Sequence, residues 1–266
     1  MTLIRKNRTY KGKPTHSYEL DGQKVKGVTT LLSGGLPKPG LMYWSAKSVA
    51  EYVADQPDAI RNMLDTMGRE SIVGALKSVP WDKRDEAAAR GTEIHAIAEQ
   101  VIHGEAVDVP EAVAGAVQGY VDWLDAWAVQ MNHTEMVVGR RPSDGVPGYA
   151  GTFDADVTMG AGPLKGKRGL VDWKTSKGVY GENALQLAAY EHADFYLDAD
   201  GDEQPMPIYD FLGVVHITPT GTDLYLVHDP ATAWRIFRHV AYVATQIDVI
   251  GAQISQPTPM PTGDEA

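Results

Sequence analysis

The hydrophobic rhythm of the chain changes near residue 130, and that change limits the folds open to it. Upstream, apolar residues recur with helical spacing over 41–53, 59–79, about 82–102 and 110–129. Downstream they gather into short β-rich runs at 135–138, 151–158 and 169–174. A helical stretch at 183–197, two more strand-like runs at 209–217 and 223–227, and a closing helix at about 231–250 follow. This order predicts an α/β protein: a mixed central sheet flanked by helices, with a helical N-terminal half. Punctuation supports the parsing. Asp21-Gly22 between two alternating runs predicts a hairpin turn, and 28–32 continues it as helix or strand. Gly34-Gly35, Pro37 and Pro39-Gly40 break the chain, and Pro80 is expected to end a helix.

The chain has 266 residues, enough for one sizeable core, and no second core or internal repeat is legible. We therefore expect one domain over 1–255, with a hairpin and helical part at 1–132 and an α/β part at 133–255. The Pro-rich polar stretch 256–266 is expected to be a disordered tail. The absence of cysteine excludes disulfides, a Cys-ligated zinc, an iron–sulfur cluster and a thiol nucleophile. Any metal must then bind His, Asp or Glu. No apolar leader follows Arg5, Lys6 and Arg8, and no run reaches bilayer-spanning length, so no membrane association and a cytoplasmic location are expected.

The net charge of -11 opposes a nucleic-acid partner in bulk, but its distribution is uneven. Residues 1–26 carry seven basic groups (Arg5, Lys6, Arg8, Lys11, Lys13, Lys24, Lys26) against Glu19 and Asp21. A second basic cluster comprises Lys165, Lys167, Arg168, Lys174 and Lys177. Each reads either as a solvated loop or as a phosphate track.

The chemistry concentrates in Gly151-Thr-Phe-Asp154-Ala-Asp156 and, after a Gly- and Lys-rich loop, Gly169-Leu-Val-Asp172-Trp-Lys174. Strand alternation points Asp172 and Lys174 one way and Val171 and Trp173 the other. Two such strands paired as a hairpin bring Asp154 and Asp172 together. Such a pair repels itself unless a cation lies between, and an oxygen-rich site suits Mg²⁺ or Mn²⁺. Taken alone, Asp172-x-Lys174 reads equally as a same-face ion pair and Asp154 as an edge aspartate. Gln186 and Tyr190, at i and i+4, share a helix face, and alone read as a surface contact. His95 lies one turn beyond Gly91, a glycine that leaves space for an ion or a phosphate; packed between Ile94 and Ile97, it reads also as a core histidine. Glu135 opens a strand before this block and reads equally as a residue near the site or as a strand-edge surface charge; Asp156 shares a face with Asp154 or is simply solvent-exposed; both are left outside the candidate site. Trp123 and Trp127 read as core rather than as a base-stacking platform.

The ordered set His95, Gly151-Thr-Phe-Asp154, Asp172-Trp-Lys174 and Gln186-x-x-x-Tyr190 resembles the PD-(D/E)XK nuclease superfamily, in its RecB-like branch. Phage-encoded recombination exonucleases and CRISPR-associated nucleases belong to that branch. The segments Tyr18-Glu-Leu-Asp-Gly, Val28-Thr-Thr-Leu-Leu and Arg90-Gly-Thr-Glu-Ile-His also resemble phage members. Phe153 stands where the name-giving proline would be, and Asp172 where many members have Glu. The lack of cysteine points to the phage type without an iron–sulfur cluster.

The resemblance implies a restriction-endonuclease-like core in which His95, Asp154, Asp172 and the main-chain carbonyl of Trp173 ligate Mg²⁺ or Mn²⁺. Asp154, Asp172 and Lys174 would be catalytic, and Gln186 and Tyr190 would support the site and contact the substrate backbone. It implies a metal-dependent DNA exonuclease that degrades linear duplex DNA to 5′-phosphate products in phage recombination or processing. DNA would be its partner, with a single-strand annealing protein or recombinase, in the host cytoplasm if phage-encoded. A flap or branch endonuclease and a catalytically silent DNA-end-binding scaffold are the alternatives. If the basic N-terminal segment tracks phosphates, replacing Arg5, Lys6 and Arg8 together by Ala weakens DNA binding. The slope of log K against log salt then falls in magnitude by up to about 2.7, at ~0.9 per phosphate. A salt titration checks this, and unchanged affinity and slope would remove the segment from the track.

Overall fold

The computed structural model describes residues 2–10, 13–102, 107–254 and 257. Strands β1 (Leu3–Tyr10), β2 (Lys13–Leu20) and β3 (Gln23–Gly27) form an antiparallel meander. Asp21 (φ 50°) and Gly22 (φ 79°) supply the two positive angles of the expected tight turn. β1 was not legible in the pattern, because Arg5-Lys6-Asn7-Arg8 shows no apolar alternation. Its ladder with β2, from Leu3↔Leu20 to Tyr10↔Lys13, makes it a strand.

The helical half comprises α1 (Val28–Gly35), α2 (Pro39–Asp55), α3 (Pro57–Thr66), α4 (Arg69–Ile102) and α5 (Glu111–Trp127). The ambiguous run after the hairpin is helical, with Val28, Leu31 and Leu32 buried at i, i+3 and i+4. Both α2 and α3 begin on proline, whose fixed φ suits a first turn. The helix expected over 59–79 is instead divided at Met67-Gly68, and Pro80 lies inside α4 rather than ending a helix. Pro80 removes one i→i−4 bond, at a cost of about 3 kcal/mol in an isolated helix. Here Val79 is buried and the Ser78 hydroxyl donates to the Ala75 carbonyl (2.9 Å). Tertiary burial thus carries the helix through a local breaker.

The second half contributes β4 (Gln130–Arg140), β5 (Tyr149–Thr158), β6 (Arg168–Lys174), α6 (Gly181–Glu191), β7 (Phe195–Leu197), β8 (Glu203–Pro205), β9 (Phe211–Thr218), β10 (Gly221–Leu226) and α7 (Pro230–Gln253). The helix expected over 183–197 stops at Glu191, and its end becomes a strand. Phe195 and Tyr196 pair with Gly139 and Val138, so the open edge of β4 overrides a helical pattern. The tail expected at 256–266 lies outside the described residues, Pro257 apart, as does His103 after α4. Among the described residues no helix is long and apolar enough to cross a membrane.

The ten strands among the described residues join one mixed sheet flanked by helices, as the order of elements predicts. β5 is its pivot. It pairs antiparallel with β4 on one edge; on the other, β3 joins in parallel at its start and β6 antiparallel at its end. β6 continues in parallel to β9, which pairs with β10. Because successive side chains alternate, Leu170 and Val214 pack toward α1, α6 and α7, whereas Val171, Trp173 and Val215 pack toward α4 and α5. β6 and β9 are therefore buried on both faces, as their near-continuous apolar runs require.

Gly169 and Phe211 pair across β6 and β9, and a Cβ on Gly169 would lie 2.1 Å from the Phe211 ring. Gly169→Ala should cost about 1–3 kcal/mol, as overpacking of a tight core does. Urea unfolding checks this, and an unchanged midpoint would contradict the tight packing.

Candidate active site

The site lies where the ladders on one edge of β5 part. β3 pairs with Tyr149 and Ala150, β6 pairs with residues 155–158, and 151–154 fall in the gap between. The β5–β6 register runs Asp156↔Leu170, then Ala155↔Val171, so the next positions are Asp154 and Asp172. Antiparallel pairing thus sets the two carboxylates face to face at the mouth of a fork. Like charges directly opposite destabilise a pair of strands. Past this point the strands diverge: Phe153 packs with the α1, α6 and α7 layer, while Trp173 packs with α4 and α5. In place of the missing ladder bond, the Trp173 N–H donates to Asp154 Oδ2 (2.7 Å). Opposite on β4, Glu135 takes a left-handed φ of 52° between Thr134 and Met136, the partners of Ala155 and Phe153. Such backbone in a non-glycine residue is costly and clusters at functional sites.

Asp172 is buried in an otherwise apolar strand and forms an ion pair with Lys174 two residues on. Gln186 Nε2 donates to Asp172 Oδ1 (3.1 Å) and to the Tyr190 hydroxyl (3.1 Å). α6 is fixed for this task. Asn183 and Tyr180 form a reciprocal cap at its start, Tyr149 donates to the Ala189 carbonyl (2.6 Å), and the Tyr190 ring packs over Gly151, where a Cβ would lie 2.5 Å away. Gly151 is therefore needed for close approach of helix to strand. A cleft of about 230 Å³ opens beside Lys174 and Gln186, lined also by Thr29, Ser33, Lys38 and Ser176.

The electrostatics follow from burial. Desolvation pushes the Asp154 carboxyl up to about 6, against the pull of Lys174 and the Trp173 N–H, with Glu135 adding to the rise. Burial alone would lower the Lys174 pKa, but Asp172 and Asp154 outweigh it and the net shift is upward, so its ammonium is held protonated. Glu135 is raised by burial, then by Glu99 of α4, with Arg5 opposing and Asp172 adding. Asp154 and Asp172 thus share the fork with Lys174, and Glu135 and Glu99 add negative charge from outside it. The donor set is rich in oxygen and in excess negative charge, which suits a hard divalent cation.

Of the residues expected from the sequence, Asp154, Asp172, Lys174, Gln186 and Tyr190 stand within one connected constellation. Tyr190 is buried, so it is built to hold Gln186 rather than to meet a substrate. Trp173 directs its N–H into the fork, and a strand residue's carbonyl points to the same edge as its N–H. His95 belongs to α4, but its side chain lies outside the described residues. At Gly91, a Cβ would lie 2.9 Å from Thr175 Oγ1, so the glycine lets α4 pass close over the end of β6. Asp156 is not solvent-exposed. It is buried and accepts from Arg168 Nε (2.9 Å), Asn132 (3.1 Å) and His133 (2.8 Å), which takes Arg168 out of the second basic cluster. Lys167 is likewise paired with Asp210, and Lys6 with Glu19. Trp123 is core, as expected. Glu99 was missed, although it stands at i+4 from His95 and so on the same helix face.

No protein-family model and no curated protein matches the chain. Among solved structures, one described as "Crystal structure of SSO0001" aligns with 88% of this chain and 78% of its own, at 15% identity and a TM-score of 0.33. A likeness at that level assigns neither fold nor activity.

Because the folded pKa of Asp154 lies above its ordinary value of 3.8, its contribution to stability is complete below about pH 4 and is lost as the pH rises through about 6. With chelator present, Asp154→Asn should therefore gain thermal stability relative to wild type between pH 4 and pH 7. Mg²⁺ or Mn²⁺ should stabilise wild type alone at the higher pH. Thermal unfolding against pH checks both, and parallel curves would contradict the buried-carboxylate account.

Proposed function

We propose that the chain is a divalent-metal-dependent deoxyribonuclease with a PD-(D/E)XK core, acting as an exonuclease on linear duplex DNA. One observation carries the reading: the β5–β6 register sets Asp154 opposite Asp172 at a fork, with Lys174 on the same strand and Gln186 behind. Two facing carboxylates against the single Lys174 cation fit Mg²⁺ or Mn²⁺, which Asp154, Asp172 and the Trp173 carbonyl would hold, with His95 as the further ligand that the family resemblance implies. Bound there, such an ion supplies a Lewis acid for the phosphate oxygens and lowers the pKa of water.

The chain's own residues supply orientation and charge. Lys174, held protonated by two carboxylates, stabilises negative charge developing on the phosphate and orients the attacking water by donating to it. A cation so stabilised is poorly suited to remove a proton. Gln186 fixes the rotamer of Asp172, Tyr190 fixes Gln186, and the Trp173 N–H fixes Asp154. The exposed Arg5 and Arg8 of β1, with Lys24 of β3, offer cations on the meander that joins the fork through β3. In this reading DNA is the partner, an annealing protein or recombinase uses the single strands produced, and no iron–sulfur cluster is involved.

The test is digestion of end-labelled linear and covalently closed circular duplex DNA with Mg²⁺ or Mn²⁺. Wild type should degrade the linear substrate alone. Lys174→Ala should be about 10²–10³-fold slower, the usual cost of removing one charge-stabilising donor, while its fold and Mn²⁺ binding persist. Cutting of circles would identify an endonuclease. If neither linear, circular nor branched DNA is cut, the catalytic reading is overturned.

A further inference from the structure

The outer face of α7 carries an apolar stripe that no other described residue covers. The helix buries Ala233, Phe237, Val240, Ala241 and Ala244 against its neighbours, with Gly34 and Gly35 of α1 pressed onto Ala244 and Val240. Beyond Ala244 the helix continues for more than two turns, and every residue from Ile247 to Ile254 is exposed. Val243 (49%), Ile247 (59%), Ile250 (54%) and Ile254 (82%) follow one another at spacings of four, three and four. Ile236 extends the same row one heptad earlier, and Tyr242 and Val249 widen it on one side. Scattered apolar residues are normal on a surface; a continuous row is not.

The 4-3-4 spacing is that of a two-helix seam, in which a and d residues meet a partner helix, and each seam position here is β-branched. With Ile247 and Ile254 at a and Val243 and Ile250 at d, the flanking e and g positions are Ala244, Gln246, Gly251 and Gln253. None is charged. In a chain of net charge -11, residues 239–254 carry a single formal charge, Asp248, which lies off the seam. Two copies can therefore approach along this face with little of the repulsion that opposes contact elsewhere. DNA fits it poorly, since 239–254 contain no Lys or Arg to meet phosphates. A membrane surface fits it poorly too, since interfacial helices set Lys and Arg along the polar face. Residues 255–266 offer one methionine among prolines and polar groups, too little to fill the row.

We propose that α7 is a self-association surface, pairing antiparallel with α7 of a second copy, so that Ile247 of each chain packs beside Ile250 of the other. The arrangement is isologous and closed, giving a dimer rather than a fibre. It stands apart from the nuclease reading, and the catalytic fork lies on other elements.

Sedimentation of the full chain across a hundredfold concentration range tests it. Wild type should sediment at twice the 28.9 kDa chain mass, dissociating on dilution. Two variants, Ile247→Glu with Ile250→Glu and Ile247→Lys with Ile250→Lys, should each be monomeric with unchanged circular dichroism, because these side chains are exposed. Mixed in equal amounts, they should recover the dimer mass, since the antiparallel register sets each acidic pair against a basic pair. A wild type that stays monomeric throughout, variants that remain dimeric, or a mixture that stays monomeric would each overturn the proposal.

Discussion

A single hydrogen bond marks where this fold turns from a sheet into a site: the Trp173 N–H donating to the carboxylate of Asp154. β5 cannot keep both β3 and β6 along one edge, so the two ladders stop short of each other and four residues are left between them. A backbone N–H at such a break must find another acceptor. Asp154 provides it, and the same bond fixes the carboxylate opposite Asp172. The glycine at the other end of the gap admits the Tyr190 ring, which brings α6 and Gln186 onto Asp172. One topological break thus sets the placement of two acids, an amide and a phenol.

The electrostatic character of the fork follows from what surrounds it. β6 and β9 are covered on both faces, so Asp172 is desolvated by a core built for apolar residues. Removing carboxylates from water costs several kcal/mol per ion unless charge or hydrogen bonds compensate. Lys174 offsets part of this, and Asp154 responds by holding its proton to about pH 6. Such a site is neither a closed ion pair nor a structural triad. Asp156, two residues along the same strand, shows the alternative outcome: burial would raise its pKa, but Arg168, His133 and Asn132 satisfy it and hold it low. Two aspartates two residues apart on one strand have been given opposite roles by their neighbours.

The helices serve the fork at longer range. α4 runs unbroken from Arg69 to Ile102, and Gly91 lets it pass against Thr175, just beyond Lys174. Glu99 thereby comes within electrostatic reach of Glu135, whose left-handed backbone lies beside Asp154 on the neighbouring strand. α7 closes the opposite layer with its inner face and leaves its outer face open.

By itself, the sequence determined the elements whose signals are local. The Asp21-Gly22 turn needs two positive φ angles, and the alternation in 169–174 sets Asp172 and Lys174 on one face. The pairing of Asp154 with Asp172 was legible as a possibility, because consecutive β runs joined by a Gly-rich loop tend to form a hairpin. Tertiary structure alone decided the rest. It carried α4 through Pro80, because burial of the surrounding turn outweighs one lost hydrogen bond. It turned the end of an apparent helix at Phe195 into a strand, because β4 offered an open edge. It made a strand of Leu3–Tyr10, where only the partner strand's ladder specifies the conformation. It also separated Asp154 from Asp156, since no sequence period encodes which of two like residues meets an arginine and which meets a break in the ladder. Local propensity acts over a turn or two of chain, whereas register, edge pairing and desolvation are settled between residues that only the folded chain brings together.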